Sequence, residues 1–184
     1  MKSLQGQLLI ASPHLPDPNF LRTVVLMVEH DEEGALGLVL TRPTDMMVQT
    51  AWKQLTSEEI SQTDPIFLGG PVQGPLMALH NYAPSNEIEV VPGLYFANQQ
   101  ENLDPLIRGD HAPYRLFIGY SGWSAQQLES EMEVGGWLTL PVDVDTLFSV
   151  DHEKIWKASM NRVGGDILRE SLNLKNIPDD PSLN

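Results

Sequence analysis

The stretch Gly119-Tyr120-Ser121-Gly122-Trp123 is where the chain comes nearest to nucleophilic chemistry. A serine on a sharp strand-to-helix turn can attack an acyl carbon, but such an elbow needs the pattern G-x-S-x-G, with small residues on both sides. Position 123 is Trp, whose bulk crowds the turn, and the sole histidine after Ser121 is His152. A tight turn beside a packed Trp123 is therefore the stronger reading, and no catalytic residue is assigned. The turn keeps a binding role. Ser124 as N-cap, with Gln127 three residues on, has capping-box spacing, so the backbone N–H groups of Gly122 to Ala125 could receive a carboxylate or phosphate at a helix start.

The other candidate groups are weaker. Gly69-Gly70-Pro71 lacks the lysine and spacing of a phosphate-binding loop and reads as a sharp turn or a close backbone approach. His14, His30, His80, His111 and His152 are dispersed, with no H-x-H or H-x-x-x-H pair, so no metal site is assigned. His30-Asp31-Glu32-Glu33 is dense in ligand types, yet a hairpin tip splays them. His80, in an apolar stretch, reads as a hydrogen-bonded core histidine. Glu129, Glu131 and Glu133 fall toward the end of a short helix, where they oppose its dipole at a cost of only tenths of a kcal/mol each, and a solvated face is expected. No cofactor fingerprint is present, and none is expected to bind.

The elements that must position these groups are partly legible. Gln7–Ser12 reads as a short strand, followed by a stiff loop holding Pro13, Pro16 and Pro18. Thr23–His30 and Ala35–Thr41 are apolar and β-branched around the turn Asp31-Glu32-Glu33-Gly34, which predicts a hairpin covered on both faces. Val48, Ala51, Trp52 and Leu55 have helical spacing, with Thr44 or Asp45 as N-cap. Ile66–Leu68, Leu76–Tyr82, Ile88–Val91, Leu94–Ala97, Arg115–Tyr120 and Gly136–Leu140 read as further strands. Helices are expected over Asn98–Ile107, from Ser124, and from near Asp151, where Trp156, Met160, Val163 and Ile167 form one face. Gly164-Gly165 should interrupt that last helix. Strands without a regular βαβ rhythm predict an α+β protein: one compact domain over residues 1–175, with a bent or coiled antiparallel or mixed sheet and flanking helices. Residues 176–184 read as a loose tail.

Composition narrows the function. The chain has 184 residues and no cysteine, which removes disulfides, thiolate metal sites and thiol nucleophiles. Lys and Arg number 11 against 25 Asp and Glu, a formal charge of −14. That field repels polyanions, and although Lys154, Lys157, Arg162, Arg169 and Lys175 make the C-terminal stretch the most basic, direct nucleic-acid binding is not expected. No apolar run is long enough for an export signal or a membrane span, so a cytoplasmic location without membrane attachment is expected.

Several blocks, in this order, resemble the YqgE/AlgH family: Gly6–Pro13, Asp17–Val25, Glu29-His30, Gly37–Pro43, Gly69–Val72, Leu79-His80, Gly119–Trp123 and Gln127–Glu129. The resemblance runs from about Gly6 to Leu172. It implies a compact α+β fold with coiled antiparallel sheets and no established activity; some members are labelled transcriptional regulators of exopolysaccharide production, which does not imply DNA contact. Thr41, Ser121 and Gln126 depart from the pattern, where asparagine, alanine and glycine are common. The second departure further weakens a hydrolase. Carried over by position, the polar family residues are Asp17, Asn19, Arg22, His30, Arg42, His80 and Glu129.

Arg22 precedes the first hairpin strand and Arg42 follows the second, so antiparallel pairing brings both to one end of the sheet. The expectation is that they line a pocket with the proline-rich loop and the Gly69–Gly70 turn and take a small anionic or polar ligand. The competing account has them anchoring carbonyls or carboxylates such as Asp17. The expected function is a non-enzymatic binding or regulatory module for a small molecule or protein partner; the alternative is a hydrolase or transferase using an Arg/His pocket. Oligomeric state is left open.

Overall fold

The computed structural model describes residues 2–109, 113–149 and 151–171. The expected tail from Asn176 lies outside them. Ten strands form one curled sheet: β1 (Gln7–Ala11), β2 (Val24–Asp31), β3 (Gly34–Val39), β4 (Pro43–Met47), β5 (Pro65–Leu68), β6 (Val72–His80), β7 (Ile88–Val91), β8 (Leu94–Ala97), β9 (Tyr114–Ser124) and β10 (Trp137–Pro141). Five helices attach to it: α1 (Val48–Thr56), α2 (Gln100–Arg108), α3 (Gln127–Glu133), α4 (Val144–Leu147) and α5 (Ile155–Ser171). The order is β10-β1-β2-β3-β9-β6-β8-β7, with β4 on β5 and β5 on β9. Pairing is antiparallel except between β5 and β9, so the sheet is mixed and the α+β expectation holds.

The sheet coils until its far edge returns to its start. The Gln5 side-chain amide donates to the carbonyls of Glu89 and Val90 at 3.0 and 3.3 Å, tying β7 to the segment before β1. The concave side holds the main core, with Ile10, Leu26, Leu38, Leu79, Phe96 and Phe117 among its members, capped by Leu147, Ile155 and Val163. Outside, α1 and α2 press Trp52, Leu103, Leu106 and Ile107 onto β5, β6 and β8. A third cluster gathers Phe20, Trp123, Leu128 and Trp137 between α3 and the proline-rich loop.

The two halves of the sheet meet at β9. Phe117 and Ile118 pair with β5 on one side and with β6 on the other, whereas Ser121–Ser124 pair with β3. The link from β5 to β6 must therefore cross β9, and that link is Gly69-Gly70-Pro71. A β-carbon on Gly69 would lie 2.3 Å from the Gly119 carbonyl oxygen, and one on Gly70 2.3 Å from the Tyr120 carbonyl. Only glycine permits so close a crossing. Gly119 answers with φ +67°, bending β9 where its partner changes.

Local expectations need three corrections. Thr44 and Asp45 belong to the edge strand β4, and Met47 is the N-cap of α1. Ser124 ends β9 rather than starting α3; the backbone N–H and hydroxyl of Ser124 both bond the Gln127 side-chain oxygen, and the cap is Gln126. Gln126 has φ 63°, the left-handed region that glycine adopts most readily. Gly164 and Gly165 do not interrupt α5, because buried Ile155, Ser159 and Val163 anchor the preceding turns and outweigh a propensity cost of about 1 kcal/mol per glycine.

Candidate functional site

Hydrogen bonds within the protein occupy much of the expected polar set. His30 is buried on β2. Its Nδ1 accepts the Leu4 backbone N–H at 2.9 Å, so that nitrogen carries a lone pair and Nε2 carries the hydrogen, directed at the Glu129 carboxylate 3.0 Å away. A general base needs a free lone pair facing substrate, and the lone pair of His30 is already engaged. The His30–Glu129 pair clasps the N-terminal segment, β2 and α3 together. Ser121 is fully buried and its hydroxyl donates to the Gly69 carbonyl at 3.1 Å. The Gly69 carbonyl also accepts the Val39 N–H. Gly69, Gly70 and Ser121 thus secure the strand crossing. Gly122 lies within β9, exposed.

His80 lies on β6 against Tyr95, fully buried. The expected hydrogen bonds are missing: backbone groups of Tyr82 and Ser85 lie close enough to favour its protonated form, but neither ring nitrogen makes a hydrogen bond of good geometry. Burial dominates and holds its pKa below the usual 6.5. The unfolded chain therefore takes up a proton near pH 6.5 that the folded ring refuses, so stability is full above that pH and declines below it, by up to about 1.4 kcal/mol per unit for one proton. His80→Leu should match the wild type at pH 7 and lose less stability between pH 6.5 and 5; urea unfolding at the two ends of that range measures it. A parallel decline in both proteins would assign acid sensitivity elsewhere.

The arginines hold other positions. The hairpin register, with Val25 opposite Val39, carries Arg22 and Arg42 to the same end of β2 and β3. Arg22, at φ 55°, lays its guanidinium 5.9 Å from the centre of the Trp156 ring. Arg42 reaches the Pro18 carbonyl at 3.5 Å, a long contact. Asp17 caps the single turn Pro18–Phe20 through the Asn19 N–H at 2.8 Å, leaving the Asn19 side chain exposed. The Gly69–Gly70 crossing is packed on β9.

A groove does form beside the proline-rich loop, on the side facing α3. It measures about 230 Å³ and is walled by His14, Leu15, Asp17, Phe20, Glu131 and Val134. Larger depressions, such as one of about 630 Å³ between Asn81 and Phe148, are more open to solvent. The groove has a firm frame. Glu131 Oε2 accepts both indole N–H groups, Trp123 at 3.1 Å and Trp137 at 2.8 Å, and Oε1 accepts the Gln127 amide at 3.0 Å. Phe20 packs against both indoles, 5.9 and 5.2 Å away, and the indoles meet each other at 6.0 Å. Behind it α3 ends in a Schellman turn: Gly136 N–H bonds the Glu131 carbonyl, Gly135 N–H bonds that of Met132, and Gly135 takes φ +74°.

Glu129 and Glu131 therefore are not a solvated face. Glu129 fixes the distant His30, and Glu131 fixes the two buried indoles on either side of its helix. Sequence reasoning missed Glu131, Trp137 and His14 as site residues; the available signal was a pair of tryptophans, whose N–H groups need acceptors once buried, flanking an acidic helix. Among the described residues no cluster of three metal-ligating side chains forms, and no helix is long and apolar enough to cross a membrane.

Fold and site together define a coiled-sheet α+β protein with a small preformed groove beside a proline-stiffened loop. The chain belongs to the AlgH-like family, whose profile matches residues 8–168. It is 38% identical to a UPF0301 protein of Chlorobaculum tepidum over 185 residues, 97% of this chain and 95% of that one. A UPF0301 protein of Shewanella sp. strain ANA-3 is also 38% identical, over 90% of this chain and 94% of its own. The solution structure of the AlgH protein from Pseudomonas aeruginosa superposes with a TM-score of 0.76 at 33% identity, covering 97% of each chain. A Corynebacterium diphtheriae protein, at 23% identity and a TM-score of 0.68 over 88% of this chain and 87% of its own, shares the fold.

Proposed function

We propose that this chain is a cytoplasmic, non-enzymatic binding module that seats a small ligand, or one side chain of a protein partner, in the groove beside the proline-rich loop. The groove itself carries the reading. Its walls are held by Pro13 and Pro16, the Asp17 cap and the Schellman turn, so little ordering is needed on binding. At about 230 Å³ it suits a fragment or a single side chain rather than a nucleotide-sized cofactor. Phe20, Leu15 and Val134 offer an apolar seat, while Asp17 and Glu131 place carboxylates at its edge. With a net charge of −14 behind them, these groups favour an apolar body bearing a cationic head: an arylalkylamine, or a lysine or arginine side chain. The engaged lone pair of His30, the sealed ring of His80 and the occupied hydroxyl of Ser121 favour binding over catalysis.

Titration of the protein with phenethylamine, followed by amide NMR, tests this. Saturable shifts are expected across residues 14–20 and 131–136. Asp17→Asn keeps the cap but removes the charge and should weaken binding about threefold. Shifts scattered over the whole acidic surface, or an affinity indifferent to Asp17→Asn, would refute the reading.

A further inference from the structure

Arg115 differs in kind from Arg22 and Arg42. On β9 it alternates with Leu116 and shares the inward face with Phe117, and its guanidinium carbon stands 4.6 Å above the centre of the Phe67 ring. Nη1 is buried and has no hydrogen-bond partner. Among the described residues no carboxylate forms an ion pair with it. Burial pushes its pKa down and no acidic group offsets the shift, yet a guanidinium stays charged throughout the physiological range. The ring of His152 also meets Phe67, edge to face at 5.7 Å. Arg115 is half-buried rather than sealed, which leaves it reachable by a solute.

We propose that Arg115, seated over the Phe67 ring, is a binding site for one small oxyanion, a carboxylate or a phosphate. A charge withdrawn from water without a partner is costly, and an arriving anion relieves that cost. Contact with Phe67 restrains the guanidinium, and with Nη1 buried it is the Nε–H and Nη2–H side that offers a fork for two oxygens. The surrounding negative field opposes anion approach, which places the affinity in a weak range. The site is separate from the groove beside the proline-rich loop, and either proposal stands without the other.

The test is a titration of the full chain with sodium phosphate and, separately, sodium acetate, with sodium chloride holding ionic strength constant. Arginine side-chain Nε–H resonances report binding directly. The Arg115 resonance, assigned by its loss in Arg115→Met, should move saturably while those of Arg22 and Arg42 do not. Arg115→Met should weaken binding of the anion about tenfold or more. Saturation by phosphate alone narrows the ligand to phosphoryl groups, and saturation by both admits carboxylates. A static or linearly drifting Arg115 resonance overturns the proposal, as does unchanged anion affinity in Arg115→Met. Should that variant fail to fold, Arg115→Lys replaces it for assignment and the wild-type titration decides.

Discussion

Replacing Gly70 with alanine should leave little folded protein. The added methyl would sit 2.3 Å from the carbonyl carbon and oxygen of Tyr120 and 2.4 Å from the Ser121 nitrogen. These are backbone atoms of β9, paired with β3 and β6, so they cannot yield as a flexible side chain would. Overpacking of a core costs about 1–3 kcal/mol where side chains adjust; against fixed backbone the expected loss is at least about 4 kcal/mol, a large part of the stability of a domain this size. Soluble yield and urea unfolding measure it. The same change at Gly164, where a β-carbon meets nothing within 4 Å, should instead stabilise by about 0.5–1 kcal/mol through helix propensity. A Gly70→Ala protein with wild-type stability would mean that the link does not cross β9 as described.

Glu131→Ala should cost about 3 kcal/mol and expose tryptophan. One carboxylate oxygen serves two indole donors, and Trp123 and Trp137 are 5% and 2% exposed, so truncation leaves both N–H groups buried without a partner. Phe20 then loses the fixed pair of indoles against which it packs. Glu131→Gln keeps an acceptor oxygen but weakens both bonds, so roughly half that loss is expected. Tryptophan emission should shift to longer wavelength in Glu131→Ala under native conditions. Unchanged emission and stability would remove Glu131 as the frame of the groove.

What was legible in the sequence was whatever local pattern determines. The hairpin of β2 and β3 follows from two apolar runs around an acidic turn, and Leu103, Leu106 and Ile107 are buried as their helical spacing requires. Trp52 likewise lies where its helix face predicts. β4 was not legible because an exposed edge strand, Pro43-Thr44-Asp45-Met46-Met47, carries neither alternation nor an apolar run. The continuation of α5 through two glycines depends on packing that propensity does not contain. The site was hardest to read for a related reason: the acceptors on α3 serve donors from other parts of the chain, His30 on β2 and Trp137 on β10. A lone glutamate run gives no hint of such partners. Arg115 was hidden by its ordinary place in a strand, since its isolation is a property of what fails to surround it.

The crossing at Gly69–Gly70 also dictates an order of assembly. β9 lies between β5 and β6, yet it is translated after both, and its own end, Ser121–Ser124, is what pairs with the open side of β3. A nascent chain thus emerges with a finished hairpin and an empty slot, the open side of β3 unsatisfied until residue 124 has cleared the ribosome and that of β1 until residue 141 has. Closure is a late, long-range event, slow by the standards of local folding. Interruption of synthesis before that strand would release a fragment whose bare β edges invite association with other chains.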